Sequence, residues 1–188
     1  MNRNWGDGAR WGGPGASEDP CSGLYRGAHE WSEPECGAVR DYVKQFVGPD
    51  TGRRHPFHIE GAVDYHSFGQ IFLRPYAWAS TTTDPPPNNE AMIAIAEKMV
   101  VAASGTPLGV PYTQGGWHDE LYPSSGVFGD WIYSMIEDGA GPGDGKVLTA
   151  ELRDLGELGF VLPDSEIRPV GEEQLAALYE LGRGIIGF

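Results

Sequence analysis

Glu151 stands where an apolar residue belongs. Val147 to Leu152 reads as a short buried strand, bounded by a Gly/Asp turn before it and by Gly156 after it. A strand covered on both faces is apolar throughout, and Glu151 interrupts that pattern near the C-terminal end. Ligands of open α/β sheets bind at the C-terminal ends of strands, so a carboxylate there is a candidate general base or acid. The alternative is an ion pair with Arg153 or Arg168. A second strand-like run ends at His66, in Val63-Asp64-Tyr65-His66-Ser67. An imidazole in that position can ligate a metal or serve as a hydrogen-bonded structural residue. Tyr122 lies in a Pro/Ser/Gly loop ahead of a helix, where its phenol can swing onto a substrate or simply pack. Paired with Asp154 or Asp130, Glu151 would also suit glycoside hydrolysis.

These residues need a scaffold, and the chain supplies alternating helical and strand signals. Residues 1–31 are rich in Gly, Trp and charge, without periodicity, and read as ordered loop. Ser32-Glu33-Pro34-Glu35 has the form of a capping box with proline in the first turn. It predicts a helix to about Val47, with Val39, Tyr42, Val43 and Phe46 on one face. A Gly/Pro linker follows, to Arg54. Phe57 to Tyr65 reads as a strand and Gln70 to Leu73 as another. Asn89 caps a helix reaching about Ala103, its Met92, Ile95, Ala96 and Met99 facing the core. Residues 105–125 carry no regular pattern. Gly126 to Glu137 predicts a helix with Trp131 and Met135 inward, and Glu172 to Ile185 predicts the last helix. His55 and His58 have His-x-x-His spacing, but Pro56 between them argues for a strand lead-in rather than a metal pair.

Composition narrows the function. The 188 residues carry 13 basic and 27 acidic side chains, a formal charge of −14. Nucleic acid and anionic membrane both require a basic face, so neither is an expected partner. No apolar run approaches the roughly 20 residues of a membrane span, and no secretory signal opens the chain. Two cysteines, Cys21 and Cys36, lie 15 apart, a spacing that permits a disulfide. Cys36 falls in the first turns of a predicted helix and reads as a buried thiol.

Taken in order, several segments resemble the zinc metallocarboxypeptidases of the carboxypeptidase A/B type. The matching pieces are Asn2-Arg3-Asn4-Trp5, Pro20-Cys21-Ser22, His66-Ser67-Phe68-Gly69-Gln70, Pro75-Tyr76, and Tyr122 with Ser125-Gly126 and Asp130-Trp131. They continue with Glu151-Leu152-Arg153-Asp154, Gly159-Phe160 and Leu162-Pro163. The resemblance covers essentially all of residues 1–188. It implies an α/β fold, a mixed sheet flanked by helices, corresponding to the C-terminal portion of a single catalytic domain whose N-terminal part is missing.

The resemblance also implies roles. His66 would be one of three protein ligands of a Zn2+ ion and Glu151 the general base. Arg3 would clamp the substrate's terminal carboxylate, as a guanidinium fork suits, with Asn2 beside it. The alternative for Arg3 is a surface arginine near a chain end. Tyr122 would close over the substrate, while Ser67 and Phe68 would line the backbone subsites. Phe68 stands where the family commonly has tyrosine, so any role of that hydroxyl is lost. Gly129 occupies the base of the specificity pocket, where members that cleave basic residues carry an acid. A neutral, apolar or aromatic C-terminal residue is therefore expected, because a buried Lys or Arg would find no partner there. Partners would be peptide or protein C-termini, with a propeptide in the full-length product, and a secreted location follows from the family. Cys21 matches a family cysteine whose partner lies upstream, which implies an orphaned half-cystine.

The family's His-x-x-Glu zinc pair has no counterpart. His29, His55, His58, His66 and His118 are followed three positions later by Ser32, His58, Gly61, Gly69 and Leu121. The upstream arginine that polarises the scissile carbonyl is also missing. The expectation is thus a metallocarboxypeptidase incomplete in this chain and inactive alone. The alternative is a truncated pseudopeptidase that binds peptides without cleaving them.

Overall fold

The computed structural model describes residues 1–46, 59–140 and 145–187. The described strands are β1 (Gly61–Ser67), β2 (Ile71–Arg74), β3 (Thr113–Gly116) and β4 (Lys146–Leu152). The helices are α1 (Pro34–Val43), α2 (Asn89–Ser104), α3 (Trp117–Glu120), α4 (Phe128–Ala140) and α5 (Ile167–Ile186). The chain forms two compact units. The first comprises Met1–Ala62, Pro75–Asn88 and Gly116–Val147; the second comprises Val63–Arg74, Asn89–Gly115 and Leu148–Phe188.

The second unit is built on a four-stranded mixed sheet in the order β1-β4-β2-β3. The inner strands show why their sequences are apolar. All four residues of β2 are buried, as are Val147 to Glu151 of β4. The two run antiparallel, with Ile71 opposite Glu151, Phe72 opposite Ala150 and Leu73 opposite Thr149. Helix α2 buries Met92, Ile95, Ala96, Met99 and Ala103, a stripe at helical spacing, as its periodicity predicts. It packs against α5, which contributes Ala177 and Leu181, and against Phe72 and Leu148 of the sheet.

The first unit is held by aromatic residues. Trp5 stacks on Trp131 at 5.0 Å and meets Phe128 edge-on at 4.9 Å, and Trp31 meets Trp131 edge-on at 5.4 Å. Such pairs add about 0.5–1.5 kcal/mol each beyond area burial. Helix α4 buries Trp131, Ile132, Tyr133 and Ile136 and packs against a 3-10 turn at Asp7–Ala9.

Several expectations change. The capping box does not form: Glu33 is the N-cap of α1 and makes no side-chain cap. Ser32 Oγ instead donates to Glu33 Oε1 at 2.9 Å and accepts from Asn4 Nδ2 at 3.0 Å, so tertiary contacts have claimed it. Helix α1 stops at Val43, and its inward residues are Cys36 and Val43, with Val39 and Tyr42 exposed. Tyr42 packs edge-on against Phe46 on the outside. The segment expected to be irregular holds β3 and α3. Met135 is half-buried, and Ile132 and Ile136 take the inward positions of α4. Helix α5 begins at Ile167, with Pro169 tolerated in its first turn. The linker, the start of the Phe57–Tyr65 strand and the His55/His58 pair lie within residues 47–58, outside the described residues. Cys21 is an exposed free thiol and Cys36 a buried one.

Candidate active site

The chemistry-bearing residues fall into two groups, one in each unit. In the second unit, adjacency of β1 and β4 in the sheet sets His66 beside the Glu151 strand. The turn after β1 folds over the end of β4, where the Gly69 and Gln70 amides donate to the Leu152 carbonyl at 2.8 and 3.1 Å. A Cβ on Gly69 would lie only 3.1 Å from the Glu151 Cβ, so this turn packs directly on the carboxylate's stem.

Glu151 is 8% exposed. Its Oε2 is buried and has no hydrogen-bond partner among the described residues. Neither arginine of the ion-pair alternative reaches it: Arg153 pairs with Glu166 and Glu173, and Arg168 pairs with Glu172. Burial raises the Glu151 pKa above the ordinary carboxylate range. The charge of His66 acts in the opposite sense, and that of Asp64 adds to the rise. A buried acceptor without a donor costs roughly 1–3 kcal/mol, and a site of that kind marks function more often than packing. The His66 Nε2 lies 2.8 Å from Asp64 Oδ2. A carboxylate on one ring nitrogen is the arrangement that orients metal-ligating histidines.

Strand alternation sends Tyr65 and Ser67 to the opposite face from His66. Both line a cleft of about 540 Å³ with Leu152, Phe160 and Ile167. Phe68 is half-buried and packs edge-on against Phe160 at 4.9 Å, with Gly156 and Gly159 against its ring.

The other group belongs to the first unit. Arg3 is 7% exposed rather than a surface residue. Its Nε donates to the Gly15 carbonyl at 2.8 Å, its Nη1 to the Asn2 carbonyl, and its guanidinium sits 5.9 Å from the Tyr122 ring centre. No carboxylate forms an ion pair with it among the described residues, so the charge is buried without a counter-ion. Asn2 Oδ1 accepts from the Phe128 amide at 2.8 Å, which ties the Arg3 segment to the start of α4. Gly126, at φ +69°, has its Cα against the Arg3 carbonyl, where a Cβ would come within 2.3 Å. Tyr122 is half-exposed and Gly129 buried. Next to Gly129, Asp130 accepts the Ala77 amide with both oxygens, at 3.0 and 3.1 Å. Burial pushes its carboxyl up to about 7.

The sequence profile of the zinc carboxypeptidase family, peptidase family M14, matches residues 1–177. This chain belongs to that family. Carboxypeptidase B2 of Bos taurus is 32% identical over 186 residues, covering 99% of this chain and 39% of the relative. Carboxypeptidase A1 of Mus musculus is 36% identical over 177 residues, 94% of this chain and 37% of the relative. Among solved structures, bovine thrombin-activatable fibrinolysis inhibitor in complex with tick carboxypeptidase inhibitor superposes with a TM-score of 0.81 at 31% identity. That match covers 99% of this chain and 56% of the other. A carboxypeptidase A from Helicoverpa armigera, at 23% identity and a TM-score of 0.78, shares the fold. The chain thus spans less than half the length of these curated relatives.

The family is one of zinc carboxypeptidases, and membership displaces the glycosidase alternative. Asp154, one of the two partners that alternative offered, is spent on its own turn, accepting the Gly156, Leu158 and Gly159 amides. Tested against a catalytic zinc, the donor set fits in part. His66 is a suitable nitrogen ligand with an oriented ring. No cluster of three or more His, Cys, Asp or Glu able to hold a metal occurs among the described residues, and a catalytic zinc takes three protein ligands. No described helix is long and apolar enough to cross a membrane.

Two groups escaped the sequence reading. Asp64 is two residues before His66, and period-2 spacing could have revealed it. Glu173 gave no signal: it stands beside Glu172 on a helix that also carries Glu180, and only the fold shows that it is fully buried against Arg153.

Proposed function

We propose that this chain forms part of a metallocarboxypeptidase that releases a neutral, apolar or aromatic C-terminal residue from peptides. The observation that carries the reading is the buried Oε2 of Glu151, without a hydrogen-bond partner among the described residues, on the strand beside His66. A zinc ion, when bound, would lower the pKa of its water to about 7 and polarise the scissile carbonyl. His66 would be one of its ligands. Glu151 would take the water's proton at Oε2 and return it to the leaving amine, a role that its raised pKa suits. Arg3 would bind the terminal carboxylate, its buried charge gaining the counter-ion it lacks. Tyr122, half-exposed over Arg3, would close on the substrate. Gly129 would leave the side-chain pocket without a charge, and Ser67 and Phe68 would contact the substrate backbone. Secretion and a propeptide in a longer product accompany this reading, as does the absence of nucleic-acid and membrane partners.

A second reading has its own support. With no metal-holding cluster of three or more donors around His66 among the described residues, the chain alone would hold zinc weakly and hydrolyse nothing, acting as a peptide-binding module. Reading the genomic sequence upstream of the Met1 codon separates the two. An in-frame His-x-x-Glu favours the peptidase, and a true start without one favours the module. The activity test adds zinc to the encoded product and follows residue release from peptides ending in Phe, Leu, Lys or Glu. Release of Phe and Leu that is lost in Glu151→Gln is expected. Preferred release of Lys would overturn the specificity, and undiminished turnover by Glu151→Gln would overturn the assigned base.

A further inference from the structure

We propose that Asp64 is a positioning residue that fixes the tautomer of His66. Strand alternation puts the two side chains on one face of β1. The Asp64 Oδ2 lies 2.8 Å from Nε2, and both side chains are largely withdrawn from water, at 18% and 27% exposure. A carboxylate can only accept, so Nε2 carries the proton. A neutral imidazole held in this way has its lone pair on Nδ1, the nitrogen through which such a ring ligates. Asp64 therefore acts through the ring and not as a ligand itself. The purpose of this device rests on the reading of His66 as a metal ligand; the tautomer itself does not.

The sequence of β1 supports a built pair. The residues alternate as Val63, Asp64, Tyr65, His66, Ser67, so that one face carries the acid and the imidazole while the other turns Tyr65 and Ser67 to the cleft. Glu151, on the adjacent strand, is electrostatically coupled to both members of the pair. A solitary structural histidine would need neither neighbour.

Long-range 1H–15N NMR of the uniformly labelled full chain, near pH 8, tests the proposal directly. The His66 signals are assigned by their loss in His66→Gln. In the wild type, a protonated Nε2 and an unprotonated Nδ1 are expected. Asp64→Asn keeps an oxygen acceptor and should keep that pattern. Asp64→Val keeps the strand preference but loses the acceptor, and its two ring-nitrogen signals should converge as the tautomers mix. A wild-type ring protonated at Nδ1 overturns the proposal without recourse to any variant. So does an Asp64→Val protein, folded by its amide dispersion, with the wild-type ring pattern. Titrating zinc chloride into the same samples should move the Nδ1 signal first, with affinity about tenfold weaker in Asp64→Val. An Asp64-dependent tautomer whose Nδ1 ignores zinc would sustain this inference and overturn the metal reading of His66.

Discussion

Two glutamates of the second unit are withdrawn from water to nearly the same extent, yet their surroundings are opposite. Glu173 on α5 is saturated. Its carboxylate accepts from Arg153, from the Val110 amide at 3.0 Å and from the Tyr112 hydroxyl at 3.1 Å. Arg153 is held further by Glu166 and by the Leu108 carbonyl at 2.8 Å. Glu151 on β4 has a buried oxygen with no donor among the described residues and a raised pKa. Burial alone therefore does not leave a carboxylate oxygen open. Burial with the partners withheld does, and the same fold builds both arrangements two residues apart, at Glu151 and at the arginine that serves Glu173.

The contrast can be broken or sharpened by substitution. The largest effect is expected from Glu173→Ala, which strips the buried Arg153 charge of its fully buried partner and leaves it Glu166, and should cost about 3 kcal/mol, the lower end for a broken buried pair. Denaturant unfolding measures it, and a loss below about 1 kcal/mol would mean that Glu173 is no more committed than Glu151. Gly69→Ala comes next, because its new Cβ meets the Glu151 stem at 3.1 Å. Overpacking of this kind costs about 1–3 kcal/mol. The loss should be smaller in the double variant with Glu151→Gly, which removes the Cβ that is met, and a double-mutant cycle reads the difference. Tyr112→Phe removes one of several donors to Glu173 and should cost about 1 kcal/mol.

The effect of Glu151→Gln on stability should be least at the acid end of the range, near pH 4, and it carries a sign. The folded pKa of Glu151 lies above its unfolded value, so the folded state binds more protons through that interval. The wild type accordingly loses stability as pH rises from the ordinary glutamate range through the raised folded pKa. Asp130, raised to about 7, acts in the same direction. Glu151→Gln should flatten only the Glu151 share, leaving the variant relatively more stable than the wild type at pH 8. Thermal melting across pH 4 to 8 tests this, and an identical slope in both proteins would show that Glu151 is not desolvated.

Much of this was legible from residue order. The strand around Glu151 and the stripe of α2 follow from hydrophobic period, because each element buries a continuous apolar surface. The Glu-Leu-Arg-Asp and His-Ser-x-x-Gln pieces named the family before any coordinates. Where local rules failed, a distant residue had intervened. Ser32 would cap α1 in isolation, but the Asn4 amide and the Glu33 carboxylate hold its hydroxyl. The periodicity of α1 pointed to Val39 and Tyr42, yet both are exposed among the described residues. Strand β3 is a Thr-Gln-Gly-Gly segment without strand character, made a strand by the Thr113 amide bonding to the Gln70 carbonyl.

By itself, the amino-acid sequence determined the family, the positions of Glu151 and His66 at strand ends, and the acidic net charge. These are properties of residue type and spacing, which the chain carries whether folded or not. Only the tertiary structure decided which carboxylate is left without a donor, that Asp64 faces the His66 ring, and that Arg3 is buried. Desolvation and hydrogen-bond pairing depend on which atoms meet in space, and Arg153 chose Glu173, twenty residues away, over the glutamate two positions before it.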